Sequence, residues 1–88
     1  MKLKTGDVIF YIHDMPSGKK EWAIYKILGV EPTDVEDLYD MELLLTNGNF
    51  KDTDQLFEKE LDHHLPEHTL IKLDKDVDPY GQITQYII

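Results

Sequence analysis

Three imidazoles and a carboxylate cluster late in the chain, at Glu60, His63, His64 and His68. Glu60 and His64 are four residues apart, so a helix through them would stack both on one face as a pair of metal ligands. With His68 and a water they could complete a zinc site. His68 lies beyond Pro66, so it need not share that face. The competing readings are a helix end, where a cationic His meets the negative pole of the helix dipole, and a half-buried His64 with satisfied nitrogens.

Other spacings with chemical potential are incomplete. Asp74-Lys-Asp-Val-Asp78 begins like a calcium loop, but its sixth position is Pro79 rather than glycine and its twelfth is Gln85 rather than glutamate. Starting the loop at Asp76 puts Ile87 at the twelfth position. Ser17 is the sole serine and sits in a Pro16-Ser-Gly18 turn. His13 is near it in sequence, without an orienting acid at a known spacing. Ser17-Gly-Lys-Lys20 lacks the upstream glycine and downstream hydroxyl of a phosphate-binding loop. No catalytic constellation stands out, and the expectation is a protein that is not an enzyme and carries no cofactor.

Charge is the strongest signal. The 88 residues carry a net charge of -9. Eleven acids and two lysines lie between Glu31 and Asp62, which accounts for the whole excess. The flanking segments hold seven lysines and seven acids. Asp34-Val-Glu-Asp-Leu-Tyr-Asp40 alone packs four carboxylates. All nine cations are lysine. Without arginine there is no bidentate fork for phosphate or guanine, and so acidic a chain gains little from a phosphate backbone. Direct nucleic-acid binding is therefore not expected. No cysteine is present, which excludes disulfides and thiolate zinc and fits a reducing compartment. The start, MKLKTGDVIF, carries neither a signal peptide nor a membrane span, so the expected location is cytoplasmic.

The elements that must position these residues read as one α+β domain over 1–88. Asp7–His13 and Glu21–Val30 are β-branched and aromatic, and Pro16-Ser-Gly18 joins them as a hairpin. Apolar residues fall on both sides of the second run, which predicts a curved strand or one covered by a helix. Glu31–Asp37 reads as a loop and Leu38–Thr46 as a third strand ending at Asn47-Gly48. Asp52 reads as a helix N-cap with Gln55 as its capping-box partner. An amphipathic helix near 53–65 then lines up Leu56, Phe57, Leu61, His64 and Leu65, and Pro66 ends it. Thr69–Leu73 and Gln82–Ile88 read as the last strands, joined by a turn at Asp78–Gly81. The expected order is β-β-β-α-β-β, as a small antiparallel sheet or a partly open barrel.

Lys4-Thr-Gly-Asp-Val-Ile9 followed by Trp22–Val30 resembles the first hairpin of SH3-like small barrels, over about a third of the chain. The resemblance implies a binding scaffold more often than an enzyme.

Three functions follow as expectations. The first is a non-enzymatic protein whose residues 31–62 contact a basic partner protein, with Asp34, Glu36, Asp37, Asp40, Asp54, Glu58 and Asp62 as contact residues. In charge and size the chain resembles inhibitors that imitate a phosphate backbone and some immunity proteins. The expected geometry puts Asp34, Glu36 and Asp37 in solvent, turns Leu38 inward, and sets Asp54, Glu58 and Asp62 along one helical face. The second is a metal-binding protein using Glu60, His64 and His68. The third is a peptide- or carbohydrate-binding barrel using aromatics around Trp22 and Tyr39. A solvated face that only confers solubility is the plain alternative to the first.

Overall fold

The computed structural model describes residues 2–61 and 68–87, with Glu60, Leu61 and His68 described by backbone alone. The expected hairpin forms from β1 (Val8–Asp14) and β2 (Lys20–Pro32), paired from Val8 with Lys26 to Asp14 with Lys20. Its turn is closed by Met15 N–H to Lys19 O at 2.8 Å and Gly18 N–H to Met15 O at 2.9 Å. Gly18 sits at φ 85°, a conformation that a side chain would strain. β3 (Asp37–Thr46), β4 (Thr53–Phe57) and β5 (His68–Leu73) complete one antiparallel sheet in the order β4-β3-β2-β1-β5.

The central strands are buried on both faces. One face gathers Ile9, Ala23, Tyr25, Ile27, Tyr39 and Met41 with Leu3 from the N-terminal segment. Leu3 is tied down by its N–H donating to the Tyr39 hydroxyl at 3.1 Å. The other face gathers Val8, Phe10, Ile12, Trp22, Ile24 and Leu73 beneath Ile83 of a C-terminal helix, α2 (Pro79–Ile87). That two-sided pattern is the one the apolar residues of β2 predict. The register of β2 against β3 shifts at Ile24/Tyr25 and again at Ile27/Gly29. Such bulges bend and twist a strand pair.

Two elements correct the expected order. Residues 53–57 form strand β4, not the first turns of a helix; only Glu58–Leu61, α1, is helical, and 62–65 lie outside the described residues. Asp52 is therefore no helix cap. Leu56 and Phe57 fit a helical stripe, but they also fit the pleat of a strand on the outer edge of β3, opposite Tyr39 and Leu38. Pairing with a formed strand outweighs propensity over so short a segment. Conversely, 79–87 is a helix rather than a last strand. Pro79 takes the first helical position, where its missing N–H costs nothing, and the Asp78 carboxylate accepts from Tyr80 N–H at 3.2 Å. Ile83, Tyr86 and Ile87 then share the face that meets the sheet. The observed order is β-β-β-β-α-β-α. The sheet is not closed, since β4 and β5 are its two edges. The fold is α+β and compatible with a small barrel-like architecture.

The segment after β3 is pinned to β2. Asn47 accepts from Trp22 N–H at 2.8 Å and donates to Lys20 O at 2.9 Å, while the Thr46 hydroxyl donates to Trp22 O at 2.6 Å. Phe50 closes over Tyr11 edge-on, with ring centroids 6.0 Å apart. These contacts fix where β4 begins.

Candidate functional site

The described acidic residues from Glu31 to Glu60 occupy the end of β2, the turn at 33–36, β3, the segment before β4, β4 and α1, which together form one side of the sheet. Their side chains do not share one face. Asp40 and Glu42 of β3 alternate with the buried Tyr39 and Met41, so they lie on the α2 side of the sheet. Asp54 stands opposite Met41 and lies on the other side. The single helical row expected of Asp54, Glu58 and Asp62 does not form, because Asp54 is in a strand. Asp62 lies outside the described residues.

The turn at 33–36 also differs in part from expectation. Asp34 and Val35 are exposed. Glu36 is not free in solvent: its carboxylate accepts from Lys59 N–H at 3.0 Å and pairs with Lys59 Nζ at 3.9 Å, leaving 14% of the side chain accessible. Asp37 and Leu38 are half-buried at the start of β3. Thr33 holds the turn by donating its hydroxyl to Glu36 O and accepting from Glu36 N–H. Glu58 reaches Lys2 at 3.7 Å. Two of the acids expected to meet a partner, Glu36 and Glu58, therefore help fasten α1 and the N-terminus; exposed ion pairs of this kind contribute little stability each.

Between β2 and β4 an open hollow of about 400 Å³ is lined by Leu28 and Met41, by Thr53 and Gln55, and by the charges of Asp40, Asp54 and Lys51. Gln55 orders it. Its side-chain amide donates to Asp40 at 2.7 Å and its backbone N–H to Asp54 at 2.8 Å. Both carboxylates keep free lone pairs, since a carboxylate has about four acceptor sites.

Tyr25 reports on this region. Its ring is buried and its hydroxyl donates to Lys51 O at 3.2 Å. Burial, then the negative charges of Asp54 and Asp52, push its pKa up from the ordinary 10.0. Because the native state holds this proton more tightly than the unfolded chain, folding stability falls as pH rises from about 10 through the native value. A spectroscopic titration is expected to find Tyr25 ionising late. Asp54→Asn should move that step part of the way back and leave the burial contribution in place. An unmoved step would place Asp54 away from the Tyr25 ring.

Other candidates resolve differently. Trp22 is 6% exposed and Tyr39 0%, so both are core residues and rim no ligand surface. The Asp74–Asp78 turn spends its acids on backbone: Asp74 accepts from Asp76 N–H at 2.9 Å and Asp78 caps α2. Gln82 closes the turn through Asp74 and Val77. Among the described residues no group of three His, Asp or Glu could hold a metal ion. The expected set of Glu60, His64 and His68 falls on side chains outside that description. Buried Asp7 is structural, accepting from Lys4 N–H at 2.9 Å and pairing with Lys72 at 3.5 Å. Among the described residues no helix is long and apolar enough to cross a membrane. The chain matches no family model, no curated protein and no solved structure.

Proposed function

We propose that this protein is a non-enzymatic binding protein, cytoplasmic in setting, whose acidic side meets a basic partner protein of the inhibitor, immunity or nucleic-acid-mimic kind. The observation that carries the reading is segregation. Residues 31–62 hold the entire excess of -9, and the described residues among them make up the end of β2, β3, β4, α1 and their connections at one side of the sheet. The β5 side has no such excess. A surface polarised in this way raises the local concentration of a cationic partner and orients its approach. Asp34 and Asp54 are exposed, Asp40 is half-buried and holds the Gln55 amide, and Glu36 and Glu58 are engaged within the chain. The layout is compatible with small barrel-like scaffolds of the SH3-like type, which the first hairpin resembles.

The test uses a synthetic oligolysine as a defined basic probe, with affinity measured across a salt series. Binding should weaken steeply as ionic strength rises above about 0.1 M, where the Debye length falls below about 10 Å. A pull-down at low salt should recover a basic protein that high salt releases. No probe binding at low salt, together with no basic protein recovered, would reduce the acids to a solubility device.

A further inference from the structure

α2 covers the β5-β1-β2 part of its sheet face, where Phe10, Trp22 and Ile24 lie under Ile83. The β3-β4 part of the same face carries no helix among the described residues. Leu45 pairs with Ile24, and the bulge turns Leu44 to the same side. Leu28 follows the buried Ile27 and, at the second bulge, stands beside Asp40. These leucines are 47% (Leu44), 45% (Leu45) and 46% (Leu28) exposed. Between them run Asp40 and Glu42, with Lys26 opposite Glu42. A sheet face that leaves several leucines in water around carboxylates is costly unless something covers it.

We propose that this α2-free half of the sheet face docks a basic amphipathic segment of another protein, with apolar side chains on Leu28, Leu44 and Leu45 and lysine or arginine heads on Asp40 and Glu42. The proposal rests on the binding function above and adds to it where and how the partner sits. Charge complementarity selects the occupant. A second copy would bring another -9 to the contact and set acids against acids. An anionic lipid surface would be repelled for the same reason. A basic segment gains from both the carboxylates and the leucines.

Two synthetic probes of equal positive charge separate this inference from the reading it rests on. One is oligolysine; the other is a lysine–leucine peptide with leucines at helical spacing. The amphipathic peptide should bind about 10-fold tighter or better. The double variant Leu44→Ser/Leu45→Ser, outside the hollow beside Gln55, should lower its affinity to the oligolysine level and leave oligolysine binding unchanged. Amide shifts on the unaltered protein, at Leu28, Leu44 and Leu45, check the location without depending on the variant's fold. Equal affinity of the two peptides, or shifts elsewhere, overturns the docking face while the electrostatic reading stands. Failure of both peptides to bind overturns both. A concentration-dependent dimer in sedimentation that buries these leucines also overturns it, in favour of a second copy.

Discussion

Replacing Ile83 by alanine is expected to cost about 2–5 kcal/mol, a large part of the stability of a domain this size. Ile83 is fully buried and is the residue of α2 that sits deepest among Phe10, Trp22 and Ile24. Its loss leaves a cavity between helix and sheet, and the sheet cannot collapse into it because β1 and β2 are held by their ladder. A nine-residue helix has little stability of its own, so weaker docking also frays it. The melting temperature should fall by more than about 8 °C. Trp22, the sole tryptophan, should show red-shifted emission as the covering helix loosens. Tyr80 also meets Trp22, with ring centroids 6.3 Å apart, but it is 48% exposed, and its removal should cost far less. A loss below about 1 kcal/mol for Ile83→Ala would mean that α2 does not hold this face of the core.

Reversing Asp34, Asp40, Glu42 and Asp54 to lysine is expected to remove binding to basic probes while keeping the fold. Four reversals of two units each take the net charge from -9 to -1. Each of these side chains is exposed or half-exposed, and the hydrogen bonds they give up, chiefly that from Gln55 to Asp40, are at the surface. Association with oligolysine should slow on the order of 10- to 100-fold at low ionic strength, and the salt dependence should flatten. Melting should fall only modestly, because Glu42→Lys sets a lysine directly opposite Lys26 and Asp40→Lys gives up the surface bond from Gln55. A correctly folded variant that binds oligolysine as before would show that these four acids do not form the binding surface.

Much of the sheet is legible in the sequence, and the reason is physical. β1 and β2 are β-branched and aromatic runs around a Pro-Ser-Gly turn, and local signals suffice for a hairpin. Strand β4 is harder to read. Leu56, Phe57, Leu61 and Leu65 satisfy a helical period, and only the free edge of β3 tips 53–57 into a strand. That edge is a tertiary fact, invisible in a local window. The C-terminal helix is within reach of the sequence: Asp78 as cap, Pro79 at the first position, and Ile83 with Ile87 one turn apart are start and stripe signals. The charge segregation is legible in composition, and the fold keeps it together on one side of the sheet. Its division between two faces is not, because it depends on which β3 residues turn inward. The tether from Glu36 to Lys59 spans 23 residues and leaves no local mark. The grouping of Leu28, Leu44 and Leu45 depends on two bulges that sequence spacing does not announce.

The central claim is that the acidic side of the sheet, and not negative charge in general, is the contact surface. The most direct measurement titrates oligolysine into the isotopically labelled protein and follows backbone amide shifts. Two acidic regions compete within the one molecule. Shifts concentrated in the 33–36 turn, β3 and β4, with the Asp74–Asp78 turn unmoved, are the predicted result. Shifts of equal size at Asp74, Asp76 and Asp78, or shifts spread evenly over all exposed acids, would contradict it.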